Sequence, residues 1–341
     1  MRPPIRTMQL PGNLRDLALA RVGRAYAGKW SVEALIDMGG MAAVYAGTHR
    51  NGKRVALKVL HAHIASDADL RARFLREGYV ANLIEHPGAV QILDDHDDPE
   101  HNEVLLVMEL LEGQSVDRWL KSSGGSVPMT DALAVGFQVL DVLEAFHQAG
   151  VVHRDIKPGN LFVTQAGVVK VLDFGLARLR DRSIGKATGV GTVLGTASYI
   201  PPEQAQGLPD RIDPRSDLFA VGAVLFHMLS GFVVHEGRSS VDRLFSAMRK
   251  PARPLLSVAP RVPPEIGDVI DKALSFERDQ RYASARDMRD ALRAAYLTVF
   301  RAPVARPVAH APLEGFDEAF AEPSAVVEVS FGPPPTTRPE R

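Results

Sequence analysis

One short run constrains this chain more than any other: residues 151–161 read Val-Val-His-Arg-Asp-Ile-Lys-Pro-Gly-Asn-Leu. The polar side chains of Asp155, Lys157 and Asn160 fall together here, between apolar runs that are typical of β-strands. A further apolar run leads to Asp173-Phe174-Gly175, 18 residues after Asp155. That spacing fits a loop, a strand and a turn, which would bring Asp173 back beside Asp155.

These residue types suit the transfer of a phosphoryl group. A carboxylate can receive the proton of an acceptor hydroxyl, and carboxylate and amide oxygens are ligands that Mg²⁺ accepts. A lysine close by supplies positive charge near the transferring group. A polar turn without chemistry is the competing interpretation, and the length of the string argues against it.

His-Arg-Asp-Ile-Lys-Pro-Gly-Asn followed by Asp-Phe-Gly resembles the catalytic loop and metal-binding turn of protein kinases, here the eukaryotic-like serine/threonine kinases of bacteria. The resemblance implies that Asp155 orients the acceptor hydroxyl and takes its proton, and that Lys157 stabilises charge on the γ-phosphoryl group of ATP. It also implies that Asn160 and Asp173 coordinate Mg²⁺, with Mn²⁺ as an alternative. Lys157 is typical of the serine/threonine pattern rather than the tyrosine pattern.

Composition excludes several other classes of protein. The 341 residues contain no cysteine, which rules out disulfides, thiolate metal sites and cysteine nucleophiles and fits a reducing cytoplasm. A formal net charge of −1 argues against a nucleic-acid binder that depends on a basic surface. No apolar run reaches the ~18 residues of a membrane span, and no signal-peptide core is present, so we expect a cytoplasmic protein.

From Trp30 the sequence predicts strands over 30–36, 44–48 and 54–60, with Asn51-Gly52 as a hairpin turn. Between the first two strands, Gly39-Gly40 would let backbone N–H groups approach phosphate oxygens without interference from a Cβ atom. An ordinary glycine hairpin is the alternative at this turn. Residues 1–29 form an N-terminal extension, in which a short helix over 14–21 and an unstructured segment are both compatible with the sequence.

This turn departs from the family pattern, which would place glycines at 37, 39 and 42, whereas the chain has Asp37 and Ala42. Asp37 would repel phosphates and weaken nucleotide binding. Gly40-Met41 still resembles the Gly-Gly-Met loop of bacterial serine/threonine kinases. The resemblance assigns ATP binding to residues of this turn, the strands and the segment that joins the two lobes: Asp37, Met38, Gly39, Gly40, Met41, Ala42, Val44, Ala56, Lys58, Met108, Glu109 and Leu111.

Lys58 stands in an otherwise apolar strand, where an unpaired ammonium would be costly. Its surroundings, Val-Ala-Leu-Lys, resemble the Val-Ala-Ile-Lys strand of kinases. The next segment predicts a helix over 66–85 with Ser66 as its N-cap and an apolar stripe at three- and four-residue steps. Glu77 falls on that stripe, so we predict an ion pair between Lys58 and Glu77.

Two more strands are predicted over 90–93 and 104–108, with an acidic turn between them. The carboxylates and histidines of that turn, and the pair His61 and His63, lack metal-ligand spacing and are interpreted as solvated residues. By resemblance, Met108 lies at the back of an adenine pocket, Glu109 and Leu111 offer backbone groups to the adenine, and the small lobe ends near Gly113.

The remaining sequence is mainly helical. A helix over 130–149 ends at Gly150, and a small hairpin over 161–172 follows the catalytic stretch. An apolar helix over 218–226 follows Asp217, which is expected to cap it and, by resemblance, to hold the backbone of the catalytic loop. Further amphipathic helices are predicted over 242–248, 264–274 and 283–296.

Residues 176–203 resemble a kinase activation segment that ends in Pro201-Pro202-Glu203. Thr188 and Thr192 are the predicted phosphoacceptors, and Arg154 is a cation that such a phosphate would neutralise. The resemblance implies that Thr196 hydrogen-bonds Asp155 and Lys157. It also pairs Glu203 with Arg281.

We therefore predict an α+β, bilobal kinase-like fold, with an antiparallel-sheet small lobe (30–112) that carries one helix and a mainly helical large lobe (113–296). Residues 297–341 are predicted to be a disordered Pro- and Ala-rich tail that could dock a partner. The predicted function is phosphorylation of serine and threonine in protein substrates, including the activation segment itself. Two alternatives remain open: a pseudokinase that acts as a nucleotide-binding scaffold, and a small-molecule phosphotransferase of related fold.

Overall fold

An antiparallel sheet forms the first part of the molecule. It belongs to a computed structural model that describes residues 14–98, 101–173 and 197–308. The strands of this sheet are β1 (Ala25–Tyr26), β2 (Trp30–Met38), β3 (Ala42–His49), β4 (Arg54–Leu60), β5 (Ile92–Asp98) and β6 (Glu103–Glu109). Their order across the sheet is β1-β2-β3-β4-β6-β5, and every neighbouring pair is antiparallel.

The hairpin between β2 and β3 is longer than its sequence predicts. Asp37 pairs with Val44 and Met38 with Ala43, so both strands continue into the residues expected to form the turn. The turn itself is reduced to residues 39–41, and the Gly39 N–H closes it by donating to the Ala42 carbonyl over 2.9 Å. Two register shifts in β2 accommodate the longer hairpin.

The predicted acidic turn over 94–100 is wrong, because residues 94–98 belong to β5. Asp94 pairs with Lys29 and Asp97 with Arg71, each over 2.5 Å, so carboxylates that look like loop residues are neutralised in place. β5 is an edge strand, where charged side chains are tolerated and oppose pairing with another chain. Within the described ranges, no group of three or more histidine, aspartate or glutamate side chains is arranged to hold a metal ion.

The long helix of the small lobe is α3 (Ala68–Asn82), which follows the single-turn helix α2 (Ala62–Ala65). The predicted N-cap, Ser66, is wrong. Asp67 is the cap, since its carboxylate accepts hydrogen bonds from the N–H groups of Asp69 and Leu70. Ser66 instead ends α2 and donates its hydroxyl to the His63 carbonyl.

Residues before Trp30 also pack on the sheet. Helix α1 (Leu14–Leu19) buries Ala18, and the buried hydroxyl of Tyr45 on β3 donates to the Ala18 carbonyl over 3.0 Å. β1 then pairs with β2. The helix alternative for this segment is therefore the correct one, and α1 and α2 add to the one helix expected in the small lobe.

The second part of the molecule is mainly helical. Its helices are α4 (Val116–Ser122), α5 (Met129–Gln148), α6 (Pro202–Ala205), α7 (Pro214–Ser230), α8 (Ser240–Arg249), α9 (Pro264–Ala273) and α10 (Ala285–Phe300). A small sheet of β7 (Gly113–Ser115), β8 (Leu161–Thr164) and β9 (Val169–Val171) lies in the order β7-β8-β9. Its edge strand β7 is absent from the sequence prediction, since Gly-Gln-Ser has no strand propensity.

Helix α7 is the centre of the large lobe. Its apolar residues are buried on every side, as expected for a helix without a polar face. A Cβ atom on Gly136 of α5 would lie 2.8 Å from a Leu225 methyl group, so α5 approaches α7 closely. The predicted cap Asp217 is wrong: Asp213 caps α7 by accepting from the Arg215 N–H. Gly231, with φ of 76°, ends the helix.

The described chain continues past residue 296. Helix α10 extends to Phe300, and the Val308 N–H donates to the Asp131 carboxylate at the start of α5. In the described ranges, no helix has both the length and the apolar character needed to cross a membrane. The two-lobed α+β fold predicted from the sequence is confirmed.

Replacing Asp67 with alanine should lower the free energy of unfolding by about 1 kcal/mol, because two N–H groups of the first turn of α3 lose their acceptor. Urea denaturation measures the change. Ser66→Ala is the matched control and should have a clearly smaller effect. Equal losses in the two variants would contradict the assignment of Asp67 as the cap.

Candidate active site

Lys58 lies at the junction of the two lobes. It stands on β4 between Val44 of β3 and Leu106 of β6, and its side chain is 12% exposed. The Lys58 Nζ lies 3.1 Å from Glu77 Oε1 on α3 and 2.6 Å from Asp173 Oδ1, which follows β9 in the large lobe. One cation therefore joins the sheet, the long helix of the small lobe and the large lobe.

Both carboxylates of this cluster stabilise the Lys58 charge, whereas the Asp173 carboxylate disfavours ionisation of Glu77. Burial alone would lower the pKa of Lys58, but Asp173 and Glu77 outweigh burial and raise it above its ordinary value. Burial raises the pKa of Glu77, although Lys58 opposes the change. Desolvation would also raise the pKa of Asp173, but Lys58 holds it below its usual range. Lys58 is therefore charged and Asp173 ionised at neutral pH.

The loop after α5 holds a second polar group around Asp155. Asp155 Oδ2 lies 2.8 Å from Lys157 Nζ and 3.1 Å from Asn160 Nδ2. The same Asn160 amide donates to the Asp155 carbonyl over 2.8 Å, so one side chain fixes both the carboxylate and its backbone. Because the Asn160 amide nitrogen is used in this way, its oxygen is left to accept from a donor or to bind a cation.

Hydrogen bonds also connect this loop to the strand that carries Asp173. The buried imidazole of His153 donates through Nε2 to the Leu172 carbonyl over 3.0 Å. The Leu172 N–H in turn donates to the Asn160 carbonyl over 2.8 Å. Burial lowers the pKa of His153, so this link is made by a neutral ring. These two hydrogen bonds hold the loop that carries Asp155 beside the end of the strand that leads to Asp173, as the sequence spacing predicts.

Asp217 anchors the loop from below. Its carboxylate is 1% exposed and accepts from the backbone N–H groups of His153 and Arg154, each over 2.8 Å, and from His147 Nε2 over 2.9 Å. Arg154 has φ of 66°, a left-handed conformation that costs energy for a residue with a side chain. Asp173 has φ of 53°, so it is held in the same strained region of backbone conformation as Arg154.

Four of the residues assigned to the nucleotide share one face of the small-lobe sheet. Val44 and Lys58 are register partners, and Ala56 pairs with Met108, so these four side chains share a face of the sheet. Asp37 is exposed at the rim, where its Oδ1 accepts from the Met38 N–H over 2.7 Å. The turn 39–41 follows at the end of the hairpin.

The segment that joins the lobes is held by an ion pair that the sequence does not reveal. Lys170 Nζ, on β9, lies 2.6 Å from Glu109 Oε1, which also accepts from the Gln91 N–H over 2.9 Å. Among the described residues, the backbone N–H and carbonyl of Leu111 have no partner. They are available to the edge of a planar base.

A buried ion pair completes the floor of the large lobe. Arg281 makes two bonds of 2.8 Å to the Glu203 carboxylate, and Ser216 donates to the same carboxylate over 2.6 Å. Burial would raise the pKa of Glu203, but Arg281 keeps it below its ordinary value. The predicted phosphoacceptors Thr188 and Thr192 lie outside the described residues, and so does Thr196.

The arrangement is that of a phosphotransferase cleft between a sheet lobe and a helical lobe, and it defines the class of the protein. The chain belongs to the protein kinase family, whose protein kinase domain matches residues 30–297.

Two of the curated relatives are bacterial proteins. The chain is 36% identical over 270 residues to the probable serine/threonine-protein kinase PknB of Bifidobacterium longum, covering 77% of this chain and 39% of that protein. It is 35% identical over 278 residues to the serine/threonine-protein kinase PknA of Mycobacterium tuberculosis, covering 80% of this chain and 63% of that protein. The chain thus spans about two fifths of one relative and less than two thirds of the other.

A solved structure shows the same fold. The kinase domain of PknI from Mycobacterium tuberculosis superimposes with a TM-score of 0.62 at 24% sequence identity. The match covers 80% of this chain and 98% of that domain.

Replacing Asp217 with asparagine should lower the free energy of unfolding by about 2 kcal/mol, because an amide NH₂ would face a backbone N–H that now has a charged acceptor. Thermal and urea unfolding measure the loss. Asp213→Asn on the same helix is the control: asparagine is also a good N-cap, and the change removes only partly exposed ion pairs to Arg215 and Arg278, so it should cost less. A smaller loss at Asp217 than at Asp213 would contradict its anchoring role.

Proposed function

We propose that this chain is a serine/threonine protein kinase that transfers the γ-phosphoryl group of ATP to hydroxyl groups of protein substrates. One observation carries the proposal: the cation-and-carboxylate cluster of Lys58, Glu77 and Asp173 meets a loop in which Asp155 is held by Lys157 and Asn160. Family membership and the names of the relatives support it.

Each residue has a role that its surroundings support. Asp155 holds the acceptor hydroxyl and receives its proton as the oxygen attacks phosphorus, while Lys157 stabilises the negative charge of the transferring group. Lys58, oriented by Glu77, donates to the α- and β-phosphate oxygens. Lys58 is already charged and placed by its two carboxylates, so little reorganisation is required when phosphates replace one of them.

The donor set also fits a divalent cation. Asn160 offers its amide oxygen, and Asp173 offers an ionised carboxylate with one oxygen not engaged by Lys58. Mg²⁺ is the proposed ion, with Mn²⁺ as an alternative, since both accept carboxylate and amide oxygens. Such an ion neutralises charge on the β- and γ-phosphates.

Two other functions fit less well. A pseudokinase would account for Asp37 and Ala42 in the glycine turn, but it leaves the intact arrangement of Lys58, Asp155 and Asp173 without a use. A small-molecule phosphotransferase would not need the buried Glu203–Arg281 pair at the end of the activation segment, which supports a platform for protein substrates.

The remaining assignments are part of the proposal. They comprise a kinase domain over 30–296, action in the cytoplasm where ATP is available, no use of nucleic acid, and a docking partner for the Pro-rich segment 297–341. Thr188 and Thr192 are the proposed sites of autophosphorylation, and Thr196 is the proposed contact to Asp155 and Lys157.

Asp155→Asn should reduce phosphate transfer by about 10²- to 10⁴-fold, because the base that receives the hydroxyl proton is lost while the nucleotide contacts remain. Intact mass after incubation with ATP and Mg²⁺ measures it. Over the same interval, phosphates should be added to the wild type and to the control but not to the Asp155 variant. They should map to Thr188 or Thr192 and be absent when the metal is chelated. Asp290→Asn on the exposed face of α10 is the control. Equal phosphorylation of the Asp155 variant would contradict the mechanism.

Asp37→Gly should tighten ATP binding about two- to fivefold, because an exposed carboxylate at the rim of the phosphate site is removed. Calorimetry measures the affinity. Asp37→Asn separates charge from backbone effects, since it retains an acceptor for the Met38 N–H and should give most of the gain. Unchanged affinity in both variants would place the Asp37 carboxylate away from the phosphates.

A further inference from the structure

His61 contacts the glycine turn twice. It follows β4 directly, three residues after Lys58, and the residue is 4% exposed. Its backbone N–H donates to the Met41 carbonyl over 2.9 Å, and its ring Nε2 lies 2.9 Å from the Gly39 carbonyl. Both ends of the turn 39–41 are therefore attached to one residue.

The ring contact determines which way the turn presents its N–H groups. In a planar trans peptide the carbonyl and the following N–H point in opposite directions. A Gly39 carbonyl held on His61 therefore directs the Gly40 N–H away from His61. In the described part of the chain, the N–H groups of Gly40 and Met41 have no acceptor. Successive free N–H groups of this kind bind anions.

We propose that His61 is a positioning residue for the nucleotide: its Nε2–H holds the Gly39 carbonyl so that the Gly40 N–H remains free for a phosphate oxygen. The inference rests on the proposed function, because it requires ATP as the ligand of this turn. The end of β4 would thus serve the nucleotide twice, since Lys58 would bind the phosphates and His61 would hold the turn 39–41.

A neutral buried donor suits this position. Burial lowers the pKa of His61, although the hydrogen bond to Gly39 opposes the change, so the ring is uncharged at neutral pH. A buried lysine or arginine would need a counter-charge even without a nucleotide, whereas a neutral imidazole donates one hydrogen bond without one. The neighbouring His63 stacks on the ring at 5.8 Å between centroids but is exposed.

Two variants separate the hydrogen bond from the packing of the ring. His61→Met retains side-chain volume and removes the donor, while His61→Gln retains an amide donor. His63→Met is the control, because His63 makes no side-chain hydrogen bond to the turn within the described residues. Calorimetry of the full chain with ATP, and separately with adenosine, gives the affinities.

His61→Met should weaken ATP about threefold to tenfold, which corresponds to one hydrogen bond, and should leave adenosine affinity unchanged. His61→Gln should recover most of the ATP affinity, and His63→Met should match the wild type. Unaltered ATP affinity in His61→Met, or equal weakening of ATP and adenosine, would overturn the inference, because the ring would then only support the lobe. Failure of His61→Gln to restore binding would also overturn it.

The test is separate from that of the proposed function. Wild-type protein that binds ATP but transfers no phosphate would refute the kinase activity while the affinity ratios still decide the role of His61. Wild-type protein that binds no ATP would refute both.

Discussion

The site depends on one requirement, which is that a lysine enclosed at the meeting point of two lobes must have carboxylates on both sides. Lys58 obtains Glu77 from the small lobe and Asp173 from the large lobe, so its enclosed ammonium is paired from both sides. The rest of the small lobe serves this requirement. Strand β4 holds the lysine on the face toward the cleft, and α3 presents Glu77 on the side that packs against the sheet.

The large lobe holds a polar loop in a strained backbone conformation. Arg154 and Asp173 both have positive φ, and such residues persist only where their surroundings determine them. Asp217 binds two successive N–H groups at Arg154, and the His153–Leu172 hydrogen bond fixes the approach to Asp173. Asp217 lies on the buried helix α7, so the packing of the large-lobe core fixes the position of its carboxylate.

The sequence predicts much of this arrangement where local pattern and tertiary role agree. Strand β4 has its predicted bounds, and Glu77 lies where the apolar stripe of α3 places it.

Prediction failed where long-range contacts decide the structure. Strand β5 reads as a polar turn, since its pairing depends on β6 and on cations from β1–β2 and α3. The sequence predicts Ser66 and Asp217 as helix caps in place of Asp67 and Asp213, because polar residues close to each other in the chain can all serve as caps. The sequence around Lys170 and His61 does not indicate their contacts, because each side chain binds a segment that is distant in the chain.

The Lys170–Glu109 pair has a mechanical consequence. Glu109 ends the last strand of the small lobe before the connection, and Lys170 stands three residues before Asp173. The segment that joins the lobes is thereby tied by one ion pair to the short strand that leads to the Asp173 carboxylate. In the proposed kinase, that pair links the segment assigned to the adenine to a residue assigned to the metal, so a substitution that breaks it would act on both ends of the cleft.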